Sequence, residues 1–275
     1  MPDQIDLSSM QSVPVIGARG FVRLHRHWRE PDAAMWEKIW NGTKARSDYW
    51  AAARRGAMAG EYAAFFRRYL EPGSRIIEAG CGVGQVVLAL RQWGHDCWGV
   101  DFAEETIALL NRKFPDVPFL KADIRELPFR DASFDAYISL GVIEHFASGQ
   151  EAMLAEAARI LRPGGIIFLS VPALNSYRKL RIRLGSYDRT AIEPFFEACY
   201  GLVELREMLL ESGFEPLAHQ FQNTVMTFAQ ETPVRPLYRL LEDTRFPRSA
   251  VDRLLRLVLP RRWFGHMLMV VGRRN

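Results

Sequence analysis

Residues 75–85 read RIIEAGCGVGQ, in which a short apolar run leads into three closely spaced glycines. Ile76 and Ile77 follow a Pro-Gly turn, as is typical of a buried strand, and Val86 starts a helical spacing of apolar residues. Glycines between a strand and a helix allow positive φ and let the backbone approach a bound molecule closely. The stretch therefore predicts a strand, a glycine turn and a helix, with a nucleotide-like ligand at the turn.

The acid at the end of this strand indicates which ligand the turn would bind. A dinucleotide turn needs a small residue in its third place, where this chain has Gln85. Glu78 would repel a pyrophosphate but attract the ammonium and sulfonium groups of S-adenosylmethionine. A second predicted strand, 96–101, ends in Asp101 about 20 residues beyond the first glycine, where a carboxylate binds ribose hydroxyls. NAD carries the same ribose, so a nicotinamide-dependent oxidoreductase stays open as an alternative.

Three further strands continue the pattern of strand followed by helix. They are predicted at 117–121, before Asp123, at 134–141, before the Glu-His pair that ends at His145, and at 166–171 after the turn LRPGG. An acid at the position of Asp123 could accept the amine of adenine. Strands separated by helices are joined by right-handed crossovers, which predicts a parallel sheet with its ligands at the carboxyl ends of the strands.

These motifs, in this order and at this spacing, resemble the class I S-adenosylmethionine-dependent methyltransferases. The resemblance is to the small-molecule (type 11) branch that includes the ubiquinone and menaquinone biosynthesis enzymes, and it is close over residues 70–220. It implies an α/β fold, namely a Rossmann-like, mostly parallel sheet of seven strands with an antiparallel last strand. Helices would cover both faces and form lid insertions. S-adenosyl-L-methionine is the implied cofactor, although Val83 stands where many members have threonine.

The resemblance also implies a set of cofactor contacts. Glu78 and the glycine turn would hold the methionine part, and Asp101 the ribose. Asp123 with Ile124 would address the adenine, and the end of the fourth strand would lie along the cofactor. The full set is Glu78, Gly80, Cys81, Gly82, Gly84, Asp101, Phe102, Asp123, Ile124, Ser139 and Leu140.

His145 is the candidate catalytic residue. Methyl transfer mainly requires alignment of the acceptor with the methyl group and exclusion of water, but an oxygen or carbon acceptor must also lose a proton. His145 follows the fourth strand and titrates near neutral pH, so it could take that proton. The alternative is that it only packs in its loop. The six histidines show no metal-ligand spacing, so no metal site is predicted.

The domain organisation is predicted from the segments that lie outside the core pattern. Residues 1–70 are interpreted as a loose N-terminal arm over residues 1–20, followed by a helical lid. Tyr49 or Trp50 of this lid could reach the cofactor. Residues 71–275 would form the methyltransferase domain, with cap insertions at about 173–199 and 224–262. Because the last strand would be antiparallel, both insertions should emerge at the ligand side and select the acceptor.

Composition restricts where and with what the protein acts. Three cysteines without a C-x-x-C pair favour reduced thiols in a cytoplasmic enzyme, and no stretch has the form of a signal peptide or a membrane span. The net charge of +4 permits an anionic or nucleic-acid partner without requiring one. The fourth strand carries no N-P-P-Y motif, so a small-molecule acceptor is favoured and an RNA methyltransferase is the alternative.

The second insertion contains a predicted basic amphipathic helix. Val251, Leu254, Leu255 and Val258 recur at helical spacing, with Arg253 and Arg256 off that stripe. Such a helix either packs on the protein as a lid, or meets an anionic membrane surface or an acidic, partly apolar acceptor. In the second case the acceptor would be lipid-like, quinone-like or anionic.

Overall fold

A computed structural model describes residues 10–17, 19–28, 32–44, 47–58, 61–188, 190, 194–234, 254–255 and 257–275. These residues form a seven-stranded sheet, a separate three-stranded sheet, and helices. The strands are β1 Gln11–Ile16, β2 Val22–His27, β3 Arg75–Ala79, β4 Asp96–Asp101, β5 Phe119–Lys121, β6 Phe134–Leu140, β7 Leu161–Pro172, β8 Phe195–Cys199, β9 Phe214–Gln222 and β10 Met267–Arg274.

Three helices lie between β2 and β3, and the others lie between later strands. They are α1 Ala33–Lys44, α2 Ser47–Ala53, α3 Tyr62–Tyr69, α4 Gln85–Gln92, α5 Glu104–Lys113, α6 Gln150–Ile160, α7 Ser176–Arg183, α8 Leu202–Glu211, α9 Thr224–Glu231 and α10 Arg261–Phe264, with a 3-10 turn at Ile143–His145. Residues 254–255 and 257–258 are also helical.

The seven-stranded sheet has the order β5-β4-β3-β6-β7-β10-β9. Neighbouring strands from β5 to β7 run parallel, while β10 runs antiparallel to both β7 and β9. The predicted fold class, a mostly parallel sheet with an antiparallel last strand, is confirmed. The carboxyl ends of β3, β4 and β6 therefore lie together at one edge.

Two apolar clusters bury the two faces of this sheet. Side chains of a strand alternate between faces, so Ile77 and Ala79 pack in one cluster and Ile76 in the other. Helix α6 covers the first face with Met153, Leu154 and Ala157, as its apolar stripe predicts. Near the carboxyl ends of the strands the buried residues also include the polar side chains Glu78, Asp101 and Ser139.

One strand is longer than its sequence indicates. The stretch LRPGG was predicted to be a turn before a strand at 166–171, but β7 begins at Leu161. Leu161 pairs with Phe134, and the register then shifts so that Ile166 pairs with Ala136. Gly164, at φ +78°, lies within the extra residues. They form a bulge, which lets the chain leave α6 and enter the sheet without a separate loop.

The predicted loose arm is wrong for residues 11–16, which form β1. This strand pairs antiparallel with β2, and β2 pairs antiparallel with β8 from the first insertion. We call the three strands the lid sheet. An N-terminal segment and an insertion nearly 180 residues later thus form one unit, a pairing that local patterns cannot reveal. The predicted domain boundary at residue 70 remains a prediction.

The insertions leave the ends of β7 and β9, at the ligand side of the sheet, as the antiparallel last strand predicts. The first contains α7 and β8. The second begins with α9, but Arg253 and Arg256 of the predicted basic helix lie outside the described residues. No helix in the described part of the chain is long and apolar enough to cross a bilayer.

Candidate functional site

The glycine turn between β3 and α4 is anchored to the neighbouring strand. Gly80 and Cys81 both donate backbone N–H groups to the carbonyl of Val100, at 2.7 and 2.9 Å. Gly80, Gly82 and Gly84 all have positive φ. The glycine positions follow from this conformation, because a side chain at any of the three would be strained there.

Each of these glycines also allows another element to lie against the turn. A Cβ on Gly80 would come within 2.4 Å of Val142, and one on Gly84 within 2.7 Å of Phe119. A Cβ on Gly82 would lie 2.8 Å from Cζ2 of Trp40. The indole of Trp40, on α1, therefore closes over the turn, and only glycine permits that approach.

Two buried carboxylates flank the turn. Glu78 is 4% exposed and accepts a hydrogen bond from the N–H of Val87 at 3.2 Å. Asp101 is also 4% exposed, and its carboxylate accepts from the N–H groups of Gly82 at 2.8 Å and Ala103 at 2.9 Å. Asp101 thus holds the turn in place as well as facing the site.

Burial raises the pKa of both carboxyl groups. It raises the pKa of Glu78 to about 8, with the nearby Asp101 carboxylate adding to the rise and the Val87 hydrogen bond opposing it. Burial also raises the pKa of Asp101, against the backbone hydrogen bonds that stabilise its ionised form. No Lys or Arg hydrogen-bonds to either carboxylate among the described residues. A cationic ligand would therefore supply a counter-charge that the site lacks.

A cavity of about 740 Å³ lies beside Asp101 at the ends of β4 and β5. Phe102 and Asp123, both predicted site residues, line it. Both carboxylate oxygens of Asp123 accept hydrogen bonds from Arg125, at 2.9 and 2.5 Å, which lowers the pKa of Asp123. Asp123 is thus kept ionised and would have to share its oxygens with an adenine amine.

The remaining predicted residues occupy different surroundings. Ile124 packs in the core, so its side chain does not face the cavity. Ser139 is buried near the end of β6, and its hydroxyl has no hydrogen-bond partner in the described part of the chain. Leu140 is half-buried beside it. Cys81 is buried, and burial raises the pKa of its thiol well above the usual value, which leaves it unreactive.

Helix α1 covers the site from the lid side. Its Glu37 accepts hydrogen bonds from both the N–H and the hydroxyl of Thr106, at 3.1 and 2.8 Å, which ties α1 to the start of α5. Trp36 stacks on Trp40 with the ring centroids 5.6 Å apart. From α2, the indole N–H of Trp50 donates to the carbonyl of Val83 at 2.8 Å. The lid predicted ahead of β3 therefore reaches the glycine turn, whereas the side chain of Tyr49 lies outside the described residues.

His145 lies just beyond the end of β6, enclosed by aromatic rings. Its centroid is 4.8 Å from those of both Trp36 and Phe196. Its Nδ1 is 2.9 Å from the carbonyl oxygen of Phe196, so Nδ1 carries the proton and Nε2 the lone pair. Burial lowers its pKa, against the opposing influence of Glu197. The imidazole is neutral at pH 7, and its catalytic role remains a prediction.

Several residues at this site were missed by sequence reasoning. Trp36 and Trp40 are four apart on a helix, so their shared face was readable, but it looked like ordinary packing. Glu197 and Arg26 carry no local signal at all. They meet near His145 only because β8 and β2 pair in the lid sheet, where Arg26 bonds Glu197 at 2.6 Å.

Comparison with known proteins identifies the domain. Residues 77–169, which span the strands and turn described above, match the family model described as "Methyltransferase domain". The chain contains a class I S-adenosylmethionine-dependent methyltransferase domain of the type 11 kind. S-adenosylmethionine is the cofactor of this domain, and the site residues fit it: a glycine cradle, a buried carboxylate without a counter-charge, and an acid where a ribose would lie.

The curated relatives carry related names. A "Probable S-adenosylmethionine-dependent methyltransferase" of Mycolicibacterium smegmatis is 33% identical over 143 residues, which are 52% of this chain and 52% of the relative. A demethylmenaquinone methyltransferase of Beutenbergia cavernae is 32% identical, over 51% of this chain and 58% of its own. A "Probable tRNA methyltransferase 9B" of Bos taurus is 37% identical, over 40% of this chain and 24% of its own. Such matches span about half the relatives' length or less.

The fold also occurs among solved structures. The 1,6-didemethyltoxoflavin-N1-methyltransferase of Burkholderia thailandensis, solved with S-adenosylhomocysteine, aligns with a TM-score of 0.54 at 20% identity. The alignment covers 96% of this chain and 99% of that one. At this identity the likeness establishes the common architecture alone.

Proposed function

We propose that this chain transfers the methyl group of S-adenosylmethionine to a small-molecule acceptor. The observation that carries the proposal is the pair of buried carboxylates, Glu78 and Asp101, at the ends of adjacent parallel strands around a glycine turn. Glu78 would bind the ammonium group of the cofactor and Asp101 its ribose. Phe102 and Asp123 line the cavity that would take the adenine.

Bound S-adenosylmethionine supplies a methyl group that its sulfonium already activates, so the protein's task is to position the acceptor and remove its proton. His145 would take that proton at Nε2, because Nδ1 is held by the Phe196 carbonyl and the ring is neutral. The rings of Trp36 and Phe196 would fix the imidazole plane and exclude water.

The acceptor we propose has an apolar, quinone-like or lipid-like part. One relative is named as a demethylmenaquinone methyltransferase. The insertions also expose large apolar residues to solvent: Leu184 is 70% exposed and Leu257 is 79% exposed. Exposed arginines, Arg183, Arg261 and Arg262, accompany them. Such a surface would let the protein contact an anionic membrane and collect an acceptor from it.

Arg178 does not belong to this basic surface. Although Arg178 belongs to α7 of the first insertion, its side chain is fully buried and paired with Glu231. The charge of the first insertion that faces solvent is correspondingly smaller than its sequence indicates.

RNA methylation is the second candidate, since one relative is named as a probable tRNA methyltransferase. The two candidates separate in a transfer assay with S-adenosylmethionine labelled in its methyl group. The protein is incubated with total RNA in one sample and with extracted membrane lipids and quinones in another. We expect label in the lipid and quinone sample and none in the RNA. Label in RNA alone would reject the small-molecule proposal.

The cofactor class is tested by thermal shift. S-adenosylmethionine and S-adenosylhomocysteine should raise the melting temperature, because a ligand that binds only the native state stabilises it. NADH should not. Stabilisation by NADH alone would overturn the proposal.

Membrane contact is tested by flotation with vesicles that contain phosphatidylglycerol. Binding should fade with salt and with Arg183→Glu plus Arg262→Glu. A matched control, Arg112→Glu plus Arg130→Glu, makes the same charge change elsewhere on the described surface and should leave flotation intact. Failure of the wild-type protein to float at any salt concentration would reject the contact.

A further inference from the structure

Glu144, His145 and Glu197 form a compact set of metal-ligand side chains. One ligand atom from each lies within 4.8 Å of the others. Two of the residues belong to the 3-10 turn after β6, and the third comes from β8 of the lid sheet. We propose that this set binds a divalent transition-metal ion, which goes beyond the proposed function because methyl transfer by itself requires no metal.

The histidine is arranged as a metal ligand. Because Nδ1 donates its proton to the carbonyl of Phe196 at 2.9 Å, the lone pair of the neutral ring is on Nε2. Metal-binding histidines commonly have their other nitrogen held in this way, which sets the tautomer and the orientation of the ring. The rings of Trp36 and Phe196 restrict its rotation further.

Glu144 provides a second observation, independent of the histidine, that points to a bound cation. It is 2% exposed, and its Oε2 has no hydrogen-bond partner among the described residues. A buried carboxylate oxygen without a donor or counter-ion is costly. A cation between Glu144 and its neighbours would remove that cost.

An ion pair with Arg26 holds Glu197 in position. Its Oε1 accepts from Arg26 at 2.6 Å, and Arg26 also bonds Glu231 at 3.0 Å. Glu231 in turn pairs with the buried Arg178. Arg26 and Arg178 are thus balanced by Glu197 and Glu231, and Glu144 has no cationic partner among the described residues.

The spacing and the ligand types limit which ion fits. Donor atoms around one tetrahedral ion at about 2.1 Å lie about 3.4 Å apart, so the cluster, whose donor atoms lie within 4.8 Å of one another, would close by up to about 1.4 Å on binding. One imidazole and two carboxylates suit zinc, manganese, iron or cobalt better than calcium. Three protein ligands leave positions open for another molecule, as in catalytic rather than structural sites.

The ion would change the chemistry proposed for His145. Nε2 cannot bind a metal and accept the acceptor's proton at the same time. If the proposed function holds, an acceptor hydroxyl bound to the ion would have a lower pKa and could release its proton to solvent water instead of to His145. The sequence predicts no metal, since Glu197 lies 52 residues from His145 and no spacing motif links them.

The test measures ion binding without turnover. Chelator-treated full-length protein is titrated with MnCl2, and free manganese is followed by electron paramagnetic resonance. The wild-type protein should bind one ion, and Glu144→Gln and Glu197→Gln should each weaken binding at least tenfold. Glu204→Gln is the matched control, because Glu204 is also buried, paired with an arginine and left with an unpartnered Oε2. It should bind manganese like the wild type.

The absence of manganese binding by the wild-type protein at millimolar concentration, or wild-type affinity in both Glu144→Gln and Glu197→Gln, would overturn the inference. If a glutamine variant does not fold, Glu144→Asp replaces it, and the visible spectrum of bound CoCl2 should change in His145→Ala. S-adenosylhomocysteine affinity is measured on the same metal-free samples. Retained cofactor binding without manganese binding rejects the metal site alone, whereas manganese binding without cofactor binding rejects the proposed function alone.

Discussion

The two sides of the site are built in different ways. The cofactor side uses one strand-turn-helix-strand unit, in which Glu78, the glycine turn and Asp101 lie within 24 consecutive residues. The side that we propose for the acceptor, called the acceptor side, brings Arg26, Glu197 and Glu231 together from β2, β8 and α9. The first is held by local backbone hydrogen bonds and the second by buried ion pairs. The cofactor side can therefore be predicted from local sequence, whereas the other side depends on tertiary contacts.

The largest expected effect lies on the acceptor side. Arg178→Met leaves Glu231 without its main partner in a buried place, which should cost about 3 to 5 kcal/mol of unfolding free energy by urea denaturation. Arg159→Met is the control: its guanidinium is one-third exposed in a surface cluster, so its loss should cost under about 1 kcal/mol. Equal costs would show that buried ion pairs do not hold this side together.

The cofactor side should respond in binding more than in stability. Gly82→Val places a side chain against Trp40 at a positive φ, so affinity for S-adenosylhomocysteine by calorimetry should fall at least about 100-fold. Gly94→Val is the control: Gly94 also has a positive φ, but a Cβ there would have no heavy atom within 4 Å. Its effect therefore reports backbone strain without a steric clash. Wild-type affinity in Gly82→Val would mean that the turn is purely structural.

Asp101 tests the ribose contact. Asp101→Asn keeps the size of the side chain but removes its charge, and should weaken cofactor binding by about 1 to 3 kcal/mol. Because the carboxylate also accepts from Gly82 and Ala103, some stability should be lost as well. Unchanged affinity by calorimetry would remove Asp101 from the cofactor site.

The smallest effect concerns pH. The folded pKa of Glu78, about 8, lies above its ordinary value of 4.5, so the folded state holds this proton more tightly than the unfolded state. Stability should therefore fall as pH rises through this window, by about 1 kcal/mol between pH 7 and pH 8 from this group. Glu78→Gln should lack that part of the decline. If the unfolding free energies of the wild type and Glu78→Gln change with pH in the same way, the raised pKa of Glu78 is contradicted.

Much of the cofactor side was predictable because its signals are local. A strand ending in an acid and three glycines with positive φ are dictated by neighbours in the chain. The structure bonds Asp101 to Gly82 and places Glu78 near Asp101, while their role in binding the cofactor stays a prediction. Ile124 shows the limit of this reasoning. Its place after β5 follows from the pattern, but only packing decided that its side chain enters the core.

By itself, the sequence determined the alternation of strands and helices from β3 to β7, the parallel arrangement of those strands and the glycine turn, whereas the antiparallel last strand was implied by the family resemblance. Periodicity and turn chemistry act over a few residues, so they can be read directly. Tertiary structure alone decided that residues 11–16 pair into the lid sheet, that Trp40 closes over Gly82, and that Glu197 meets His145. Those contacts join residues far apart in the chain, and only the folded backbone fixes their distances.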